Sequence, residues 1–326
     1  MKRQIAIVCG GDSSEHDVSM RSAAGLYGFF DKERYDIYVV EMRGSVWCVH
    51  VDNEKAPLNF ADFSFDYNGK TIKFDYAYIT IHGTPGENGI LQGYLELMKV
   101  PYSTSDVLVE ALTFDKFVCN QYLRSFGVSV ADSILVRKED VANLNAEDVE
   151  KRLGLPMFVK PVADGSSFGV TKVKDLGELL PAIGVAMEQC SKVMVEGFLE
   201  GTEITCGCYK TKTKTVVFPI TEVVTSNEFF DYNAKYNGQV QEITPARISA
   251  DIADRVSCIT SMIYDILHCN GIIRVDYIIS PNGKINMLEV NTTPGMTETS
   301  FIPQQVRAAG LNIKDVLTDI VENQFE

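Results

Sequence analysis

The sequence has no CxxC pair, no GxGxxG turn, no GxxxxGKS/T loop, no run of lysine and arginine, and no apolar stretch long enough to span a membrane. Each absence removes a class of function. Eight cysteines, at 9, 48, 119, 190, 206, 208, 258 and 269, show no disulfide spacing, and 326 residues bury enough surface to need no staple. Reduced thiols predict a cytoplasmic protein. Cys206 and Cys208 alternate in a strand-like stretch without a nearby histidine, so they read as core thiols. The missing glycine patterns set aside a Rossmann dehydrogenase and a Walker-type phosphate loop. Thirty basic against 44 acidic residues leave a net charge of −14, which repels nucleic acid and favours small substrates. An anionic ligand therefore needs local cations. The start MKRQIAIVCGG is basic, then apolar, but breaks at Gly10 before a signal region forms, so neither export nor a membrane partner is expected.

What is present reads as an ordinary folded chain, 45% hydrophobic and 23% charged, without repeats or low-complexity tracts. Two or three packed units fit its length. Residues 5–8 form a short apolar run, Gly10 and Gly11 turn the chain, and 18–30 suits a helix. Strands follow near 35–41 and 76–81, with 47–51 and 71–74 flanking a turn-rich excursion. Strands alternating with helices predict a doubly wound sheet with its ligand crevice at the strand C-terminal ends. The pattern changes near 104. A helix is expected from Ser105 through Asp115 and Lys116 towards Phe126, then a polar connection over 137–152, a strand at 157–160 and a helix over 178–189. Further on, 193–195 reads as a strand, 225–244 as a binding loop or lid, and 250–267 as a helix. Strands at 272–279 and 284–290 joined by a turn, then a helix from Ile313, complete the chain.

The strongest constellation is Arg274-Val-Asp276 on one strand and Glu289-Val-Asn291 on the next. Alternation puts each pair on one face, and a hairpin can merge them into an oxygen-rich site. Hard oxygens suit Mg2+ with substrate phosphates, and Arg274 would face developing negative charge. A solvated sheet face would show the same alternation. After Lys160-Pro161, the loop Asp164-Gly-Ser-Ser-Phe-Gly169 can bring backbone N–H groups to phosphate, although a plain hairpin turn reads alike. Lys116 is a second candidate phosphate contact, or a solvated helix lysine. Glu196 and Glu203 flank a segment, Gly197 to Thr202, able to read a ribose or adenine edge. In the first turn Glu15 can grip an ammonium group, and His82, at the end of a strand on the same sheet edge, a carboxylate. Gly295, in a turn after the second strand, offers an N–H to an oxyanion, and Ser300 can hold a second carboxylate.

Taken in this order, GGDSSEHDVS, HGTPGENGILQG, DKFVCNQYL, FVKPVADGSSFGV, FFDYNAKY, RVDY and LEVNTTPGMT resemble the D-alanine:D-alanine ligase family of ATP-grasp enzymes over almost the whole chain. The resemblance implies an α/β chain with an N-terminal Rossmann-like (pre-ATP-grasp) domain followed by a two-subdomain α+β ATP-grasp fold. The units would be 1–104, 105–195 and 196–326. It implies ATP contacts at Lys116, Lys160, Glu196, Phe198, Leu199 and Glu203, and two Mg2+ (or Mn2+) on Asp276, Glu289 and Asn291. Glu15 would hold the first D-alanine's ammonium and His82 its carboxylate, with Ser300, beside Phe301, holding the second carboxylate. Lys235 would approach the transferring phosphate, and Tyr236 would close a hydrogen-bonded group with Glu15 and Ser166. Arg274 and the Gly295 N–H would stabilise a tetrahedral oxyanion formed from an acyl phosphate. A homodimer is implied as well.

Two residues depart from the family pattern: Phe230 stands where tyrosine is common, and Phe301 where leucine is frequent. Tyr236 matches the dipeptide-forming members, which favours D-alanine as second substrate over D-lactate or D-serine. A non-catalytic nucleotide-binding protein is the contrasting reading. The set Arg274, Asp276, Glu289 and Asn291 argues against it, because binding alone needs no oxyanion group.

Overall fold

The structure, a computed structural model, describes residues 2–163, 169–225 and 240–326. Three sheets order these residues, each built from its own stretch of chain. The first contains β1 (Arg3–Gly10), β2 (Tyr35–Arg43), β3 (Val46–Val51), β4 (Glu54–Asn59), β5 (Ser64–Tyr67), β6 (Lys70–Lys73) and β7 (Tyr76–Ile79), in the order β6-β5-β4-β3-β2-β1-β7. Strand β1 runs parallel between β2 and β7 and is covered on both faces. Ile5, Ile7 and Cys9 pack with Ala23 and Leu26 of α1 (His16–Phe29), whereas Ala6 and Val8 pack with Leu91 and Leu95 of α2 (Ile90–Met98). Double burial is why 5–8 is continuously apolar. The expected alternation of strand and helix stops there. From β2 to β7 the chain instead adds β3 to β6 as an antiparallel extension. Its tight turns leave no room for helices: Asp52-Asn53 and Asn68-Gly69 take the positive φ angles of two-residue hairpin loops.

The single helix expected from 105 to 126 is two, α3 (Val107–Phe114) and α4 (Lys116–Ser125). Asp115 breaks it, leaving the helical region at ψ 96° while its carboxylate accepts the Val118 N–H to cap α4. Lys116 thus opens a helix instead of lying within one.

The second sheet holds β8 (Ser133–Arg137), β9 (Met157–Pro161), β10 (Thr171–Val173) and β11 (Lys192–Gly197), ordered β10-β9-β11-β8 and antiparallel. Helices α5 (Ala146–Leu153) and α6 (Leu179–Met187) cover one face, setting Val149, Leu179 and Ile183 against Met157, Val159, Val193 and Val195. The stretch 137–152 is therefore not a mere connection. Helix α5 escapes a periodicity reading because it buries a single residue, Val149.

The third sheet contains β12 (Thr202–Lys210), β13 (Thr215–Val217), β14 (Thr221–Thr225), β15 (Val240–Ile243), β16 (Ile272–Ile279) and β17 (Ile285–Asn291). Its order is β15-β14-β12-β16-β17, with β13 paired to β12. Helix α7 (Ala250–Leu267) brings Val256, Ile263 and Tyr264 to a core with Cys206, Cys208, Val275 and Tyr277, so both alternating cysteines are core thiols. The opposite face of β12 receives α8 (Phe301–Ala308), where a side chain on Gly207 would collide with Ile302 and Gln305. Sequence patterning missed α8, whose apolar face is blurred by Pro303 and two glutamines. With α9 (Ile313–Glu322) it sends Ile302, Val306, Leu317 and Ile320 into the core that holds Ile5, Ile7 and Leu26. The first and third sheets share that core. Among the described residues no helix is long and apolar enough to cross a membrane.

Gln305 is fully buried where α8 meets β12. Its side-chain oxygen accepts the Gly207 N–H at 3.0 Å, and its amide donates to the Thr205 carbonyl and the Thr221 hydroxyl, both at 3.1 Å. Gln305→Leu is expected to leave these groups unsatisfied and to lower stability by about 1–3 kcal/mol. The measurement is the urea midpoint, which should fall at unchanged m-value.

Candidate active site

Strand β16 turns Ile273, Val275 and Tyr277 towards α7, which leaves Arg274 and Asp276 on the other face. Antiparallel register with β17 sets Asp276 opposite Glu289 and Arg274 opposite Asn291, so the hairpin does merge the two pairs. A register shift after Asp276 restarts the pairing with Tyr277 opposite Met287. Arg274 binds Asp276 through two bonds, Nε to Oδ1 at 3.0 Å and a terminal nitrogen to Oδ2 at 2.9 Å. Thr205, across from Asp276 on β12, donates its hydroxyl to Oδ1 at 2.5 Å. Burial opposes the guanidinium charge, but Asp276 more than restores it and the Arg274 pKa ends raised. The Asn291 side-chain oxygen accepts the Thr293 N–H at 3.0 Å.

Lysines join these strands to the second sheet. The Lys116 N–H donates to the Val162 carbonyl at 2.8 Å, just past β9, and its Nζ lies 3.4 Å from a Glu289 oxygen. On the face of the second sheet away from α6, Lys160 pairs with Glu196 at 2.6 Å, with side chains only 13% and 8% exposed. Phe198 packs 6.0 Å from Phe158 between ring centroids, with the Lys172 ammonium 4.2 Å from its own. Leu199 and Glu203 are half-buried, Glu203 opposite Ile278 at the start of β12.

The other end of the site comes from the first sheet. Glu15 immediately precedes α1, and His82 follows β7; the Ser13 hydroxyl donates to the His82 carbonyl at 2.7 Å and joins their loops. His82 is buried, and its Nε2 has no hydrogen-bond partner. Burial lowers its pKa, Glu15 acts to raise it, and Arg274 lowers it further, so all three groups share one electrostatic environment. Gly295 and Ser300 are adjacent: a Cβ on Gly295 would lie 3.0 Å from the Ser300 hydroxyl, which accepts the Thr297 N–H at 3.1 Å. Phe301 lies under Arg274, its ring centroid 5.4 Å from the guanidinium carbon. Ser166, Phe230, Lys235 and Tyr236 lie outside the described residues.

Two acids join the site that sequence reading passed over. The Glu87 carboxylate accepts the Gly83 N–H at 2.6 Å, while its own N–H donates to the Gly83 carbonyl at 2.9 Å. Burial pushes its pKa up to about 8; the Gly83 bond and Lys116 act against this, Glu15 and Glu289 with it. Glu110 is fully buried in α3, which raises its pKa well above the usual carboxylate value despite bonds from the Thr292 hydroxyl at 2.7 Å and the Ser105 N–H at 3.0 Å. A lone acid inside the apolar run VLVEALTF was the available signal. In sum, Lys116 and Arg274 meet a set of hard oxygens, and Lys160 lies on the strand that leads to the Lys116 contact, a combination able to take a polyphosphate with Mg2+.

Comparison with known proteins gives the chain its family. Residues 4–105 match the family model for the D-Ala D-Ala ligase N-terminus, and residues 122–322 the model for its C-terminus. A D-alanine--D-alanine ligase of Phocaeicola vulgatus is 64% identical over 326 residues, all of both chains. Among solved structures, the VanG D-Ala:D-Ser ligase from Enterococcus faecalis superposes with a TM-score of 0.88 at 31% identity, covering 99% of each chain. A D-alanine--D-alanine ligase from Bacillus anthracis gives 0.82 at 32% identity, covering 99% of this chain and 97% of that one.

Glu87 makes a pH-dependent contribution of definite sign. Its folded pKa exceeds the ordinary 4.5, so the native state binds the extra proton and loses stability as pH climbs from 4.5 through about 8. Glu87→Gln cannot ionise. In thermal melts of the ligand-free protein its Tm is expected to gain on wild type across that window, and parallel pH profiles would refute the assignment.

Proposed function

The chain belongs to the D-alanine--D-alanine ligase family, and we propose from its site how it joins two D-alanine molecules with ATP. It is an ADP-forming carbon–nitrogen ligase that makes D-alanyl-D-alanine for peptidoglycan. A carboxylate is a poor electrophile, so the γ-phosphoryl group of ATP first converts the carboxylate of one D-alanine into an acyl phosphate, releasing ADP. The amine of the second D-alanine, having lost its proton, attacks the acyl carbon; the C–N bond forms and the C–O bond to phosphate breaks.

Glu15 holds the first ammonium and His82 the first carboxylate, a role supported by the buried Nε2 that has no protein partner. Lys116 and Lys160 contact the phosphates, with Glu196, Phe198, Leu199 and Glu203 around the nucleoside. Arg274 and the Gly295 N–H stabilise the oxyanion of the tetrahedral intermediate. Ser300 binds the second carboxylate, with Phe301 alongside. Asp276, Glu289 and Asn291 fit two Mg2+ (or Mn2+) ions, because Asp276 stands opposite Glu289 and Asn291 follows Glu289 by two residues on the same strand, giving three oxygen-bearing side chains on one hairpin. Bound there, the metal supplies charge neutralisation at the transferring phosphate. In the ligand-free protein Arg274 is held by Asp276, Lys116 by Glu289 and Lys160 by Glu196. Nucleotide phosphates would give Lys116 and Lys160 new partners in place of these carboxylates, and would free Glu289 to hold a metal.

The domain limits 1–104, 105–195 and 196–326 are proposed on the family resemblance, although Glu196 and Gly197 still belong to β11. A homodimer is supported by apolar side chains left exposed on α2 and α3, Ile90, Leu97 and Leu108 among them. Eight free cysteines support the cytoplasm as its place.

The paired register of Arg274, Asp276, Glu289 and Asn291 beside Lys116 carries the reading. Coupled ADP release is expected with D-alanine alone, and neither D-serine nor D-lactate should raise it further. Glu289→Gln should cut the rate about 100-fold or more with an unchanged thermal melt, since this residue contacts the charge transferred and is one-third exposed. Wild-type turnover in that variant would remove Glu289 from the metal set.

A further inference from the structure

On the first sheet, outside the ligase site, three side chains of different donor type meet. Glu41 on β2 lies directly opposite Cys48 on β3, and Cys48 and His50 are two residues apart, so all three project from one face. The Glu41 Oε2 is 2.7 Å from His50 Nε2 and 3.9 Å from Cys48 Sγ, and one donor atom from each residue lies within 4.8 Å of the others. Tetrahedral Zn2+ bonds of about 2.0–2.3 Å separate neighbouring donors by roughly 3.5 Å, so little movement is needed.

At the start of α1, His16 stands beside these three, outside the group whose donor atoms lie within 4.8 Å of one another. His16 Nε2 is buried without a hydrogen-bond partner and lies 3.9 Å from Glu41 Oε1. Its Nδ1 is 3.4 Å from the Asp17 carboxylate, the partner that leaves an Nε2 lone pair available to a metal. Access is open on the other side, where the His50 side chain is 35% exposed. Lys55, opposite His50 on β4, now binds Glu41 Oε2 at 2.6 Å with its own side chain 58% exposed.

We propose that Glu41, Cys48 and His50, completed by His16, form a second metal site selective for a borderline divalent transition cation such as Zn2+. A thiolate and imidazoles distinguish it from the all-oxygen set of the ligase site. Binding exchanges a proton for metal without redox change. The Cys48 thiol proton passes to solvent, His50 turns an Nε2 lone pair to the ion as a neutral imidazole that keeps its N–H at Nδ1, and the Lys55 ammonium swings out. The ion ties the start of α1 to β2 and β3, next to Glu15.

The test uses full-length, metal-stripped protein in excess Mg2+, titrated with Co2+ and followed by thiolate-to-cobalt charge-transfer absorption. One equivalent per chain is expected in wild type and in Cys258→Ser, with the band lost in Cys48→Ser. Lys55→Ala, which removes a competing cation from an exposed position, should bind Co2+ about fivefold more tightly or better. No band in wild type, or a band that survives Cys48→Ser, overturns the proposal; so does unchanged or weaker binding in Lys55→Ala. Should Cys48→Ser fail to fold, Zn2+ protection of Cys48 from alkylation in wild type decides the matter, and equal labelling with and without Zn2+ overturns it.

Discussion

The Lys116 ammonium lies 3.4 Å from the Glu289 carboxylate, while the N–H of the same residue donates to the Val162 carbonyl. One residue is thereby fastened to the second sheet and pairs with the third. It also acts on the first, since its charge opposes the upward shift of Glu87 in the loop after β7. In a chain of net charge −14, Glu15 and Glu289 both act to keep the proton on Glu87, and a cation such as Lys116 opposes that crowding of negative charge. Lys116 and Arg274 make their convergence tolerable, and Asp115 makes Lys116 available by ending α3 and capping α4.

The substrate ends of the site are held by packing between the first sheet and the residues after β17. A side chain on Gly25 of α1 would come within 2.6 Å of the Met296 carbonyl, and the Met296 N–H donates to the Ser22 hydroxyl at 3.3 Å. Gly295 is thus positioned by α1, the helix that Glu15 precedes. The shared core of α1, α8 and α9 makes this arrangement rigid, because interiors at crystal-like density do not slide. Glu110 extends the same logic, joining α3 to Thr292 through a buried carboxylate.

Much of this was legible in the sequence because period-two alternation is a local property. Arg274 with Asp276, and Glu289 with Asn291, had to share faces once their stretches were strands. Cys206 and Cys208 followed from the same rule. Glu87 was not legible, since nothing local reveals that its loop folds back so that it accepts the Gly83 N–H. Helices α5 and α8 were hidden for a different reason: one buries a single residue, and the other carries Pro303 within its apolar face.

The sequence by itself determined about half of the strands, the faces of those it marked, the acidic balance and the order of motifs that marks the family; short strands such as β8, β10 and β13, and β15 inside the stretch read as a loop, carried no such signal. Tertiary structure alone decided that Asp276 stands opposite Glu289, that Lys116 reaches across two sheets, and that α8 completes the core of the first sheet. Local conformation depends on neighbours along the chain, whereas register and long-range charge pairing depend on which surfaces exclude water together, and that is settled only when the whole chain packs.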